Sequence, residues 1–219
     1  MARSSLLCPV LSVLFLIAAA GRREEQANYE VDIVRFWNTT EYIWTTHTTA
    51  STRRACKVDM KEHITETNIT FNRSYVEKVL NLNQWIIRRY DGVFLNFGHY
   101  ENKIETLYNA VDITERDRLG RTNKRKRDSA REVLHYQSTD NMCAVFLVFG
   151  ESEYSWELWY DIRIKDSYLK RGFSKETECW EKFAQAAAHR KIRPAYHPKC
   201  HVELDRIYPN PLIAWKHRQ

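Results

Sequence analysis

Between Trp156 and Ile164 the chain alternates two series of side chains: Trp156, Leu158, Tyr160, Ile162 and Ile164 in one, Glu157, Trp159, Asp161 and Arg163 in the other. Successive side chains of an extended strand leave on opposite faces, so the two series form two surfaces. A carboxylate beside an indole face is what a small organic cation requires. The carboxylate neutralises an ammonium, and the ring adds a cation–π attraction of roughly 0.5–2 kcal/mol. Glu157 and Asp161 are therefore candidate counter-charges and Trp159 a candidate wall, provided their series faces a cavity. Periodicity alone favours the opposite arrangement, apolar series in the core and mixed series in water, because an unpaired buried carboxylate is costly. A helix docked outside the sheet would reverse it.

Other constellations carry less chemistry. His197, Cys200 and His201 are metal-ligand types, but Cys200 is expected to be oxidised and Pro198 prevents a helical His-x-x-x-His face, so no metal is expected. The histidines fall in no nucleophile–base pattern such as Gly-x-Ser-x-Gly, and neither catalysis nor a cofactor is expected. Trp44, Trp85, Phe97 and Tyr100 are aromatic positions of the kind that fill a core. Trp44 and Tyr100 are kept as candidate ligand contacts.

The elements that must position these residues are mostly strands. β-Branched and aromatic residues dominate Tyr42–Thr48, Ala55–His63, Thr67–Tyr75, Gly92–Phe97, Ile104–Val111, Met142–Phe149 and Tyr154–Lys165, with Gln84–Arg89 as an eighth segment. The last two long segments read as a hairpin joined by Gly150-Glu151-Ser152-Glu153. One amphipathic helix follows, with Ser174 as N-cap, Cys179, Trp180, Phe183, Ala184 and Ala187 on its apolar face, and Pro194 as its stop. The expected fold is all-β with one C-terminal helix: an eight-stranded antiparallel barrel, wide enough inside to hold one small ligand.

The first residues order a basic Arg3, the apolar run Leu6–Ile17 and the small residues Ala18–Ala20, the pattern of a secretory signal over residues 1–20. That run is shorter than the roughly 20 apolar residues of a membrane anchor. Residues 21–219 are expected to form one secreted, extracellular domain, without membrane attachment and as a monomer. Cys56, Cys143, Cys179 and Cys200 then sit in an oxidising compartment and read as two disulfides, with three pairings that spacing leaves open. Asn38, Asn68 and Asn72 each head a glycosylation sequon. The net charge of +6 is concentrated between Arg116 and Arg131, which includes Lys124-Arg125-Lys126-Arg127. Secretion removes the nuclear and nucleic-acid readings of that run, leaving a solvated loop, a glycosaminoglycan contact or a protease-sensitive loop, the first of these favoured because like charges repel and stay hydrated.

Two stretches resemble the salivary lipocalins of ticks, the group that includes the histamine-binding proteins. One is Asp32-Ile33-Val34-Arg35-Phe36-Trp37-Asn38-Thr39-Thr40-Glu41-Tyr42-Ile43-Trp44-Thr45, with Val34 where members often have Trp. The other is Cys143-Ala144-Val145, eleven residues, Glu157-Leu158-Trp159, nineteen residues, and Cys179. It is similar to the family's amine-binding signature except at Ala144, where the signature has Asp. Tyr196-His197-Pro198 before Cys200 also follows the family's ending. The resemblance implies a lipocalin calyx, disulfides Cys56–Cys200 and Cys143–Cys179, and capture of a host mediator such as histamine or serotonin to suppress host defence. It also implies that Glu157 and Trp159 face the cavity. Two rivals remain: an eicosanoid such as a leukotriene, its carboxylate on Arg163 or Arg88, and a protein- or glycosaminoglycan-binding effector acting through Arg116–Arg131.

Overall fold

The computed structural model describes residues 31–98, 107–116, 129–151 and 156–207. Its strands are β1 (Ile43–Thr48), β2 (Ala55–Ile64), β3 (Asn68–Val79), β4 (Leu82–Leu95), β5 (Ala110–Glu115), β6 (Ser129–Gln137), β7 (Cys143–Glu151), β8 (Trp156–Lys165) and a two-residue β9 (Arg193–Pro194). Each of β2 to β8 pairs antiparallel with the next, and β1 pairs with both β8 and β2, which closes an eight-stranded barrel. β9 attaches to β1 at the bulge after Thr45. Closure leaves these eight strands without a free edge, the aggregation liability of an open sheet.

The strand pattern departs from expectation in four places. Gln84–Arg89 and Gly92–Phe97 are one strand, β4, because the Asp91–Gly92 step stays in register with β3. A Cβ at Gly92 would lie 2.7 Å from methyls of Ile69 and Val111, so only glycine lets the strands approach there. The strand expected at Ile104–Val111 begins at Ala110 and runs to Glu115, with residues 101–106 outside the described set. β6 was not expected, since Arg131, Glu132 and His135 interrupt its apolar alternation. Gly150 and Glu151 belong to β7, paired with Glu157 and Trp156, rather than to a turn.

Four helices are described rather than one. α1 (Ile33–Trp37) opens on Asp32, whose side chain caps the Arg35 N–H at 2.9 Å, and it buries Ile33, Phe36 and Trp37. These meet Ile69, Phe71, Tyr90, Phe94 and Phe146 inside the barrel and fill one end of it. α2 (Asp166–Lys170) follows β8 directly. α3 (Glu178–Ala187) is the expected helix, capped by Thr177 instead of Ser174, whose hydroxyl binds the Glu176 N–H. Its Cys179 and Phe183 pack with Val145, Ile162 and Ile164, the outward residues of β7 and β8. α4 (Lys199–Ile207) buries Cys200 and Leu204 against Trp44, Cys56 and Val58. The disulfides are Cys56–Cys200, joining β2 to α4, and Cys143–Cys179, joining β7 to α3. No helix among the described residues is long and apolar enough to cross a membrane.

Candidate functional site

With the apolar series of β8 committed to α3, the other series turns inward. Glu157, Trp159 and Asp161 line a cavity of about 640 Å³ at the end of the barrel opposite α1. The arrangement favoured by periodicity alone is thus overturned. Its objection, an unpaired buried carboxylate, is answered for Asp161 by neighbouring cations.

Those cations belong to a charged layer between the cavity and the apolar floor. The Arg73 guanidinium grips Asp59 with two bonds of 2.6 and 2.8 Å and reaches Glu132 at 2.9 Å. Arg163 binds both oxygens of Glu132, at 2.5 and 2.7 Å, and approaches Asp161 at 3.4 Å. Lys57 completes the layer with a bond of 2.7 Å to Asp161. Burial alone would raise the Glu132 carboxyl, but Arg163 and Arg73 outweigh it and hold the group well below the usual carboxylate range. Asp161 behaves alike: burial opposes ionisation, and Lys57 and Arg163 overcome it. Burial conversely lowers the pKa of Lys57, an effect that Asp161 opposes.

This layer redistributes the roles expected of single residues. Asp161 is a cavity wall residue whose charge is already taken. Arg163 is fully buried, with the Phe146 ring 4.3 Å from its guanidinium carbon, and does not line the cavity. Arg88 does line it but pairs with Glu115 at 3.3 Å. Trp44, a candidate contact, lies on the opposite face of β1 from the cavity. Its indole N–H donates to Asp166 at 2.9 Å, and its ring meets Tyr196 and His201 under α4. Tyr100 lies outside the described residues.

Glu157 is different. It accepts a hydrogen bond from the Ser51 hydroxyl at 2.9 Å, and among the described residues no cation comes within ion-pair distance of it. Beside it, the half-buried Trp159 ring crosses Gly150 of β7 so closely that a Cβ at Gly150 would sit 2.2 Å from the indole. Ala144, at the position where the resemblance has Asp, is opposite Arg163 in the ladder and is buried in the apolar floor with Phe36 and Phe146.

The charged layer of Asp59, Arg73, Glu132 and Lys57, of which Lys57 and Arg73 reach the cavity, was not expected. Their signal was present: Arg73 stands between Phe71 and Tyr75, and Glu132 between Ala130 and Leu134, charges inserted into an inward series. The sequon residues Asn38 and Asn68 are exposed, while Asn72 is half-buried and donates to Glu62 at 2.7 Å. In the basic stretch, Arg116 pairs with Asp91, and Arg131 lies in β6 gripping Asp112 at 2.6 and 2.7 Å, so neither is a free loop cation. Lys124–Arg127 lie outside the described residues.

A closed eight-stranded antiparallel barrel with a cavity at one end and helices on its outer wall is a lipocalin-type calyx, the expected fold class. No family model and no curated protein matches the chain. Among solved structures it is similar to AM182 in complex with serotonin, with a TM-score of 0.49 at 13% identity over 80% of this chain and 97% of that one. It is also similar to japanin from Rhipicephalus appendiculatus bound to cholesterol, with a TM-score of 0.41 at 10% identity over 71% and 91% of the two chains. Lobster apocrustacyanin A1 gives a TM-score of 0.44 at 10% identity over 79% and 84%.

Proposed function

We propose that this chain is a secreted lipocalin that sequesters a small host mediator bearing a cationic nitrogen, of the class of histamine and serotonin, and so suppresses a host response. One observation carries the reading: Glu157 is a cavity carboxylate without a cation partner among the described residues, set beside an indole face. An ammonium would supply the missing charge and lie against Trp159. The two arginines considered for an eicosanoid carboxylate are already committed, Arg163 to Glu132 and Arg88 to Glu115. One site per barrel is expected, because Phe36, Trp37, Phe71 and Phe146 fill the end where a second would lie.

Calorimetric titration of the mature protein with histamine and with serotonin tests this. Binding near one per chain is expected for at least one of them. Glu157→Gln keeps the shape and removes the charge. Losing one member of a buried charge pair costs about 2–5 kcal/mol, so affinity should fall at least about thirtyfold. Unchanged affinity in that variant, or two tight sites, would refute the assignment.

A further inference from the structure

Most charged side chains lining the cavity are paired within its wall. Arg54 lies 3.6 Å from Glu77, Arg88 lies 3.3 Å from Glu115, and Lys57 and Arg73 belong to the buried layer. Two stand apart from this pairing, one of each sign. The anion is Glu157. The cation is Arg193, at the start of β9, which also lines the cavity.

Arg193 is fixed entirely by neutral partners. Its Nε donates to the Ala50 carbonyl at 3.1 Å, one terminal nitrogen to the Arg54 carbonyl at 3.0 Å, and the other to the Thr52 hydroxyl at 3.5 Å. Among the described residues no carboxylate lies within ion-pair distance of it. A guanidinium has five N–H groups, so donors remain after these three bonds. Burial lowers the Arg193 pKa and Asp161 offsets this only in part, since Asp161 is itself held by Lys57 and Arg163.

The two unmatched charges are held by one short segment. Ser51 donates to Glu157, while Ala50, Thr52 and Arg54 accept from Arg193. The segment therefore fixes an anion and a cation on the same cavity wall, not paired with each other, beside the Trp159 ring. A plain ammonium compound would satisfy Glu157 and leave Arg193 uncompensated. A plain carboxylate would do the reverse.

We propose that the cavity is built for a small zwitterion, whose ammonium docks on Glu157, whose carboxylate docks on Arg193 and whose ring lies on Trp159. This rests on the reading of Glu157 as an amine counter-charge and narrows the ligand class within it.

The test uses three compounds that share an indole ring: tryptamine with the ammonium alone, indole-3-acetate with the carboxylate alone, and tryptophan with both. In calorimetry with the mature protein, tryptophan is expected to bind at least about tenfold tighter than either of the others, a difference of about 1.4 kcal/mol. Arg193→Gln should bring tryptophan to within about threefold of tryptamine while tryptamine affinity holds. Arg193→Lys, which keeps the charge, should retain most of the preference. Tryptamine binding as tightly as tryptophan, or a preference that survives Arg193→Gln, overturns the zwitterion and leaves the amine reading standing. Indole-3-acetate binding as tightly as tryptophan overturns both, as does failure of every ammonium compound to bind. If Arg193→Gln does not fold, the ligand series on the parent protein decides alone.

Discussion

Glu157 and Glu132, on the two strands that flank β7, illustrate how two carboxylates of one barrel acquire opposite duties. Glu132 is fully buried and held by two guanidinium groups, so it belongs to the fold. Removing one partner of such a network leaves a buried charge unmatched, and Glu132→Gln should lower unfolding free energy by about 3–5 kcal/mol, measured in urea. Glu157→Gln, at a partly buried position without an ion pair among the described residues, should leave stability nearly unchanged while it weakens binding at least about thirtyfold. The folded-state pKa values of Glu132 and Asp161 are depressed. Their stabilisation is therefore complete above the unfolded carboxyl values near 4 and is lost as pH falls through the lower folded values. The melting temperature should thus hold from pH 7 to about 5 and drop steeply below about 4, with a shallower drop in Glu132→Gln. A melting temperature flat down to pH 2 would contradict the charged layer. At this scale the sequence displayed the right residue types, but alternation cannot show whether a carboxylate has a partner. Asp59 and Arg73 are directly opposed in the β2–β3 ladder, a fact of register.

Among the elements, the hairpin β7–β8 and the helix α3 were the most legible, because their periodicities are unbroken over many residues. α3 decided the faces of β8: once Phe183 takes Ile162 and Ile164, Glu157 and Trp159 must point inward. β6 and α4 were illegible for one shared reason, namely that charged side chains occupy positions where a pattern search expects apolar ones. In β6 the charge is buried and paired. In α4 only Cys200 and Leu204 are buried along Lys199–Ile207. The same hairpin yields a test of the cavity wall. Gly150→Ala places a methyl in the Trp159 ring and must drive the indole into the cavity. Overpacking of this kind costs about 1–3 kcal/mol of folding stability, and the displaced indole should weaken ligand binding and change the tryptophan fluorescence of the free protein. An unaltered spectrum and affinity would mean that the indole is not seated on β7.

For the whole molecule, barrel closure was expected from strand count, whereas the disulfide partners came from resemblance, since spacing allowed three pairings. The longer bridge, Cys56–Cys200, spans 144 residues. By the chain-entropy estimate it removes about 5 kcal/mol of freedom from the unfolded chain. It also makes the polypeptide between those cysteines a covalent ring, and a ring that is cut once remains one molecule. Lys124-Arg125-Lys126-Arg127 lie within that ring, and every peptide bond after them is a trypsin target. Cys143 and Cys179 both fall on the C-terminal side of such a cut, so only Cys56–Cys200 would hold the halves together. Brief trypsin treatment should therefore yield a nicked form that keeps its mass without reductant, separates into two chains with it, and binds ligand as the uncut protein does. Loss of binding on nicking would give the basic stretch a part in the cavity. The protein would then meet proteases as a chain that tolerates one break without coming apart.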